Sequence, residues 1–419
     1  MSLAGMALKA ERVYSLEKIV YVFFFFFMGV VPLNDLNQNN LYWGGTRLTY
    51  ETLIITNFLV IVGLLSFFIG GLFQSNKSYL LNRLASVRLY NVNRIQFIIF
   101  FLSVSFIILY VFDFNIIRLL FRGVSESSDF GDTLKLSQIQ DLVFNNFLRP
   151  APIMLLLIFH YVYSFNNNYN KSSVSVYNKT KDLIIMSFVF LGALLLISPT
   201  SVARFLAATL YIPFILVFTK IWNKPYRMQF SIIVSLLVIM PFLEKFRYFD
   251  PSKIDFSISL DFLNHGHFDA YQNFARVVDL GLVTNGYQLS GVLLFFVPRS
   301  FWPDKPVGSG YYMSEIANYS FSNISMPYIG EGYVNFGVLG VLLFMLLLGI
   351  SINKIDAYVW NIMLAGRSSI LIYYYYILFG LVFFIMRGDL LSSFAFTVGI
   401  SLSFWAFVLL IRLSSIRLS

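Results

Sequence analysis

An all-α polytopic membrane protein is the fold class the sequence predicts, and three observations predict it. The chain has 419 residues, of which 58% are hydrophobic and 12% charged, and its mean hydropathy is +0.73. Its apolar residues gather in runs of about 17 to 22, each long enough for a hydrocarbon layer of ~30 Å. Those runs are separated by short polar connections rich in Lys, Arg, Asn and Ser.

Ten spans are expected, at 18–34, 52–73, 95–112, 143–165, 183–198, 205–221, 229–243, 336–352, 370–386 and 391–411. The first follows Lys9, Arg12 and Lys18, as a signal peptide would, but PLNDLNQNN behind it offers no small-residue cleavage site, so an uncleaved anchor is expected. With the N-terminus in the cytoplasm, the inside connections carry Lys77, Arg83, Arg88 and Arg94, then Lys171, Lys179 and Lys181, then Lys220, Lys224 and Arg227, then Lys354 and Arg367, and finally Arg412 and Arg417. The short outside connections hold little more than Arg47, Arg204 and Arg387. This is the positive-inside asymmetry, with both termini cytoplasmic.

Composition also narrows the chemistry. There is no cysteine, which removes disulfides, thiolate metal sites and cysteine nucleophiles, and three histidines argue against a histidine-rich metal centre. A net charge of +9 would suggest nucleic acid in a soluble protein; here its distribution follows topology, with a share left for anionic ligands, and no nucleic-acid partner is expected. No cofactor is called for. His160 falls inside the fourth span and reads as a packing or helix-to-helix hydrogen-bonding residue. NNNYNKSSVSVYNK at 167–180 reads as a solvated cytoplasmic loop.

The chain reads as one integral membrane domain with two long outside segments, 113–142 and 244–334. In the second, GVLLFF is apolar but too short to span. Leu289 to Phe296 is therefore expected to be a half-buried, re-entrant or interfacial helix ending at Pro298, in the stretch FVPRSFWPDKP. Four arginines face this side: Arg204 in SPTSVARF, Arg276 in DAYQNFARVVD, Arg299 before SFWPDKP, and Arg387 in MRGDLLSS. Each alone could snorkel to headgroups or pair with a nearby carboxylate, as Arg387 with Asp389. Together they suit a polyanion, because a guanidinium donates bidentately and stays charged. Lys305 either joins them or pairs with Asp304.

Proton chemistry would fall to His267 and Asp269 in HGHFD, where His265 adds a second imidazole, and to Glu331. That carboxylate stands between two glycines just before the eighth span, a position that also suits a simple helix-dipole partner. Tyr271, Trp302, Tyr311 and Tyr333 offer aromatic faces to sugar rings, or anchor the segment at the interface.

The order DAYQNF, TNGYQLSG, FVPRSFWPDKPVGSG and GEGYVNFGVLG, over residues 269–340, resembles the bacterial O-antigen polymerase family, the Wzy-type oligosaccharide repeat-unit polymerases. SPTSVARF is similar to that family's proline-then-arginine loop, with Ser198 where an asparagine is common. The resemblance implies a multi-spanning inner-membrane enzyme with one large periplasmic loop and a fold like that of C-type glycosyltransferases. Its substrate would be an undecaprenyl-diphosphate-linked oligosaccharide lying in the lipid bilayer, its reaction metal-independent transfer of the growing glycan to a new lipid-linked repeat unit, and its partner a chain-length-regulating co-polymerase. On that basis Arg204, Arg276, Arg299 and Arg387 would hold the diphosphate, with Arg299 and Arg204 foremost. His267, Asp269 and Glu331 would be the candidate bases, and Tyr271, Trp302, Tyr311 and Tyr333 the candidate sugar contacts. A ligase moving finished O-antigen onto lipid A core would use the same donor. A lipid-linked sugar transporter would need ionisable groups along its spans, which this sequence mostly lacks.

Overall fold

The computed structural model describes residues 2–7, 11–73, 78–87, 89, 93–121, 140, 143–169, 176–239, 263–264 and 266–416, and every regular element among them is helical. In chain order the helices used below are α1 (Leu16–Gln38), α2 (Tyr50–Leu72), α3 (Arg94–Val111), α4 (Phe144–Ser164), α5 (Val176–Leu196), α6 (Arg204–Phe218), α7 (Arg227–Ile239), α8 (Ala270–Asp279), α9 (Tyr287–Leu293), α10 (Ser309–Ile316), α11 (Tyr328–Leu364), α12 (Ile370–Arg387) and α13 (Leu390–Ile416). Among the described residues seven, α1 to α4 and α11 to α13, are long and apolar enough to cross a membrane. This is the architecture of a polytopic membrane protein.

The expectation was ten spans. The remaining three are helical but fall short of a spanning length or composition: α6 and α7 are the shorter apolar helices, and α5 begins with the charged stretch around Lys179, Lys181 and Asp182. Of the two long segments, 122–139 and 244–262 lie outside the described residues, as does His265.

Local chemistry explains where the helices start and stop. Ser15 caps α1, its Oγ accepting from Lys18 N at 3.3 Å, and the buried Asp356 of α11 accepts from Leu16 N and Glu17 N at 3.0 Å each. A carboxylate from one helix thus satisfies the orphan donors of another. Toward its far end α1 widens into a π-helical turn over Phe26–Val30 just ahead of Pro32, and it closes on Asn39 in the left-handed region (φ 53°).

The largest helix pairing, α2 on α11, depends on small residues. A Cβ at Gly70 would lie 2.3 Å from Leu346 O, and one at Gly349 would lie 2.2 Å from Phe67 O, so the two backbones touch. On α4, His160 Nδ1 hydrogen-bonds the Tyr373 hydroxyl at 2.8 Å and the ring packs edge-on to Phe218, the helix-to-helix role expected of it.

Helix α11 is two helices in one. Its backbone breaks at Phe336 and Gly337, the latter at φ 61°, which glycine adopts without a Cβ penalty. The turn 284–286 closes the first piece: Thr284 N donates to Val334 O at 2.7 Å and Gly286 N to Asn335 O at 2.8 Å. Asn335 Oδ1 accepts from Leu289 N at 2.7 Å, which ties α9 to the same break. The expected span beginning at 336 coincides with that break, and Glu331 lies in the short helical piece ahead of it.

A short helix is present where expected, but α9 covers Tyr287–Leu293 and stops three residues before the expected end at Phe296. The chain beyond it staples itself. Lys305 Nζ donates to Phe295 O (2.6 Å) and Val297 O (3.0 Å), and Arg299 Nη1 donates back to Lys305 O (2.6 Å). Lys305 therefore pairs with backbone carbonyls and not with Asp304; burial, then the Arg299 charge, lower its ammonium pKa.

A candidate site at the arginine-bearing end of the helices

One end of the helix assembly carries the connections 39–49, 197–203 and 388–389 together with α8, α9 and α10. Three arginines gather there. Phe205 stacks face to face on Phe384, with ring centroids 3.7 Å apart and an interplanar angle of 9°; this sets Arg204, the first residue of α6, beside the C-terminal turn of α12 that bears Arg387. Arg149, in the second turn of α4, donates from Nη2 to Ser201 O (3.2 Å) in the connection leading to Arg204, and its guanidinium carbon lies 5.3 Å from the centre of the Phe112 ring. Arg204, Arg387 and Arg149 are each only partly buried.

Below them is a pair of carboxylates. Glu331, fully buried, accepts from Ser309 Oγ at 2.7 Å and from Leu390 N at 2.9 Å. Asp389 accepts from Gly310 N (3.0 Å) through Oδ2 and from Leu391 N (3.0 Å) through Oδ1. Both carboxylates thus sit on the N-terminal turns of α10 and α13, where helix dipoles favour negative charge. Burial acts against that charge and holds the Asp389 carboxyl above the usual carboxylate range, although the backbone donors pull it back part of the way.

The other predicted residues divide by occupation. Asp269 is buried and saturated: Trp43 Nε1 (2.8 Å) and Asn273 Nδ2 (2.9 Å) donate to one oxygen, and Ser325 Oγ (2.5 Å) and Arg387 Nη2 (3.5 Å) to the other. A carboxylate engaged in this way holds the segments around it together. Arg276 is engaged likewise. Its side chain is 4% exposed, and its guanidinium donates to Tyr319 Oη (3.1 Å), Thr46 Oγ1 (3.1 Å), Asp279 (2.9 Å) and Thr46 O.

Arg299 is exposed, and its donors are engaged with Lys305 O and with Pro306 O at 3.3 Å, so its first duty is to its own loop. His267 is half-buried and contributes its carbonyl, which accepts from Arg387 Nε at 3.0 Å. Tyr271 is buried, its hydroxyl donating to Asn57 Oδ1 at 3.0 Å. Tyr333 meets Phe274 edge-on, Trp302 is half-buried, and Tyr311 is exposed.

No protein-family model, no curated protein and no solved structure matches the chain.

Two residues escaped the sequence reading. Arg149 lies inside the expected span 143–165, where an arginine ahead of a proline was the signal to look for. Asp389 was assigned to Arg387 as a partner, but Gly388 is extended (φ −81°, ψ 167°) and turns the chain, so that Arg387 faces Asp269 and Asp389 faces α10. The site thus brings partly exposed guanidinium groups to the same end as two carboxyl groups.

Proposed function

We propose that this chain is a polyprenyl-diphosphate-dependent glycosyltransferase of the O-antigen polymerase type, joining lipid-linked oligosaccharide repeat units at the outer, periplasmic face of a bacterial inner membrane. The observation that carries the reading is the gathering of Arg149, Arg204 and Arg387 at one end of an apolar helix assembly, above the carboxylates Glu331 and Asp389. A lipid diphosphate lies at such a surface, and guanidiniums fixed in advance stabilise the charge that grows on it.

In this scheme the bond between the donor's anomeric carbon and the diphosphate oxygen breaks, and its electron pair stays with the diphosphate against Arg149, Arg204 and Arg387. The acceptor hydroxyl oxygen forms the new glycosidic bond. Its proton passes to Asp389, whose raised pKa matches it to base duty nearer neutrality than an ordinary aspartate. Asp269 acts through Arg387 by holding it in place. Exposed Phe296 and Phe301 flank the Arg299 loop and seat it in the headgroup region, beside the substrate's lipid.

The test is genetic. Deleting the gene in its native host and running the lipopolysaccharide on a gel should leave core plus a single repeat unit. Loss of all attached O-antigen would indicate the ligase instead, and an unchanged ladder would refute the proposal.

A further inference from the structure

Glu331 is fully enclosed, and no cation accompanies it. Among the described residues the ion pairs are Arg94 with Asp182, Arg118 with Asp113, Arg276 with Asp279 and Arg387 with Asp269, so neither Glu331 nor Asp389 has a basic partner. The two carboxyls are nonetheless neighbours, and the charge of Asp389 acts on Glu331. Glu331 meets Ser309 Oγ and Leu390 N, while Asp389 accepts from the next residue of each segment, Gly310 N and Leu391 N. The start of α10 also presses on Asp389 directly: a Cβ at Gly308 would lie 2.4 Å from its Oδ2. Two negative charges side by side with no counter-ion, one of them wholly out of water, are relieved when the pair keeps a proton.

The hydrogen-bond partners decide which carboxyl keeps it. Asp389 is partly exposed and accepts from three backbone N–H groups, those of Gly310 (3.0 Å), Leu391 (3.0 Å) and Ser392 (3.4 Å). Each of these favours the charged form, and none can accept a proton. Glu331 has one such donor, Leu390 N at 2.9 Å on Oε1; its other oxygen lies 2.7 Å from a hydroxyl, Ser309 Oγ. A hydroxyl accepts as well as donates, so Ser309 gives the O–H of a carboxylic acid a place to go. The surroundings add no competing charge. Tyr328, one turn back on α11, is a phenol, uncharged near neutrality; Phe274 of α8 lies against Gly330; Arg387, two residues ahead of Asp389, turns to Asp269.

We propose that Glu331 and Asp389 hold one proton between them, with Glu331 a carboxylic acid that donates to Ser309 Oγ and the negative charge left on Asp389. Glu331 is then a positioning residue that acts through Asp389. It fixes the pair at a single charge and keeps that charge on the partly exposed carboxyl, so that an anion approaching the arginines meets one negative group and not two. That Asp389 uses the charge to take a proton from an acceptor hydroxyl rests on the glycosyltransferase reading above.

The experiment is infrared difference spectroscopy on the full chain in lipid nanodiscs at neutral pH. The spectrum of wild type minus Glu331→Gln should contain the C=O stretch of a carboxylic acid, moved to lower frequency in D2O, whereas wild type minus Asp389→Asn should contain the bands of an ionised carboxylate. Carboxylate bands in the first spectrum, or an acid band in the second, overturn the proposal. Ser309→Ala supplies a reading that does not depend on the folding of Glu331→Gln. Loss of the acceptor should move the acid band to higher frequency, and an unmoved band overturns the assignment. A glutamate that only fills space and satisfies Leu390 N leaves none of these signatures. The test also separates the shared proton from the functional reading. An acid band in wild-type protein that makes no polymer would sink the polymerase and leave the shared proton standing; polymerisation by protein whose first difference spectrum shows only carboxylate would do the reverse.

Discussion

Arg387 pairs with Asp269, 118 residues away, and not with Asp389, two residues away: Nη2 lies 3.5 Å from Asp269 Oδ1 while Asp389 bonds Gly310 N at 3.0 Å. The pairing connects the end of α12 to the start of α8 and, through Trp43, to the connection after α1. It also fixes the guanidinium at the mouth of the proposed site without burying it, since 29% of the side chain is exposed.

Arg387→Ala should therefore remove a charge that acts on the leaving diphosphate. Chain elongation by purified protein is expected to fall by about 10²–10³-fold, as for loss of one preorganised donor. Arg387→Lys should recover only part of that, because an ammonium is a point charge without the fork that meets both His267 O and a phosphate. Initial rates with a lipid-linked repeat unit give the measurement.

Asp269→Ala should act on stability first. It leaves Trp43, Asn273 and Ser325 with buried donors and Arg387 without its counter-charge, a loss of the order of 3–5 kcal/mol by comparison with other broken buried pairs. A thermal unfolding curve in detergent should drop by many degrees. The same substitution at Asp304, exposed in its loop, should leave the curve unmoved.

Gly380→Ala tests whether packing places the arginines. A Cβ there would lie 2.3 Å from Thr209 Cα and N, which are backbone atoms with no room to yield, so α6 and α12 must part. The expected cost is about 1–3 kcal/mol of overpacking, with elongation reduced more than the melting temperature alone explains, because Arg204 moves away from Arg387. Unaltered activity would show that the two arginines act independently of this contact.

The acid limb of activity should belong to Asp389. Burial raises its carboxyl, so the base form appears only as pH climbs through that raised value, and kcat/KM should rise across the same window. Asp389→Asn should abolish the limb together with most activity. Stability carries the opposite sign. A carboxyl more readily protonated in the folded than in the unfolded chain contributes fully below its unfolded pKa, about 3.9, and loses that contribution as pH rises through the folded value.

Much of this was legible in the sequence. The class and the short helix ahead of Pro298 follow from apolar runs and proline, whereas the helix begins ahead of 336, the expected start of the eighth span, and breaks there. The arginines were visible as departures from charge patterning. What the sequence hides is occupation: that Arg276 is consumed by Thr46, Tyr319 and Asp279, or Asp269 by Trp43, is fixed by contacts 43 to 230 residues apart except for the bond to Asp279. Arg149 was masked by the apolar run around it, and Asp389 by its nearness in sequence to an arginine that turns the other way.

The most direct measurement is reconstitution. Purified protein in proteoliposomes, given an undecaprenyl-diphosphate-linked repeat unit from its own host and no metal, should produce glycans of two or more repeats on one lipid with release of the free carrier diphosphate, and Arg387→Ala should not. Carrier and repeat unit recovered intact from the wild-type reaction, with the repeat unit merely moved across the membrane, would contradict the account.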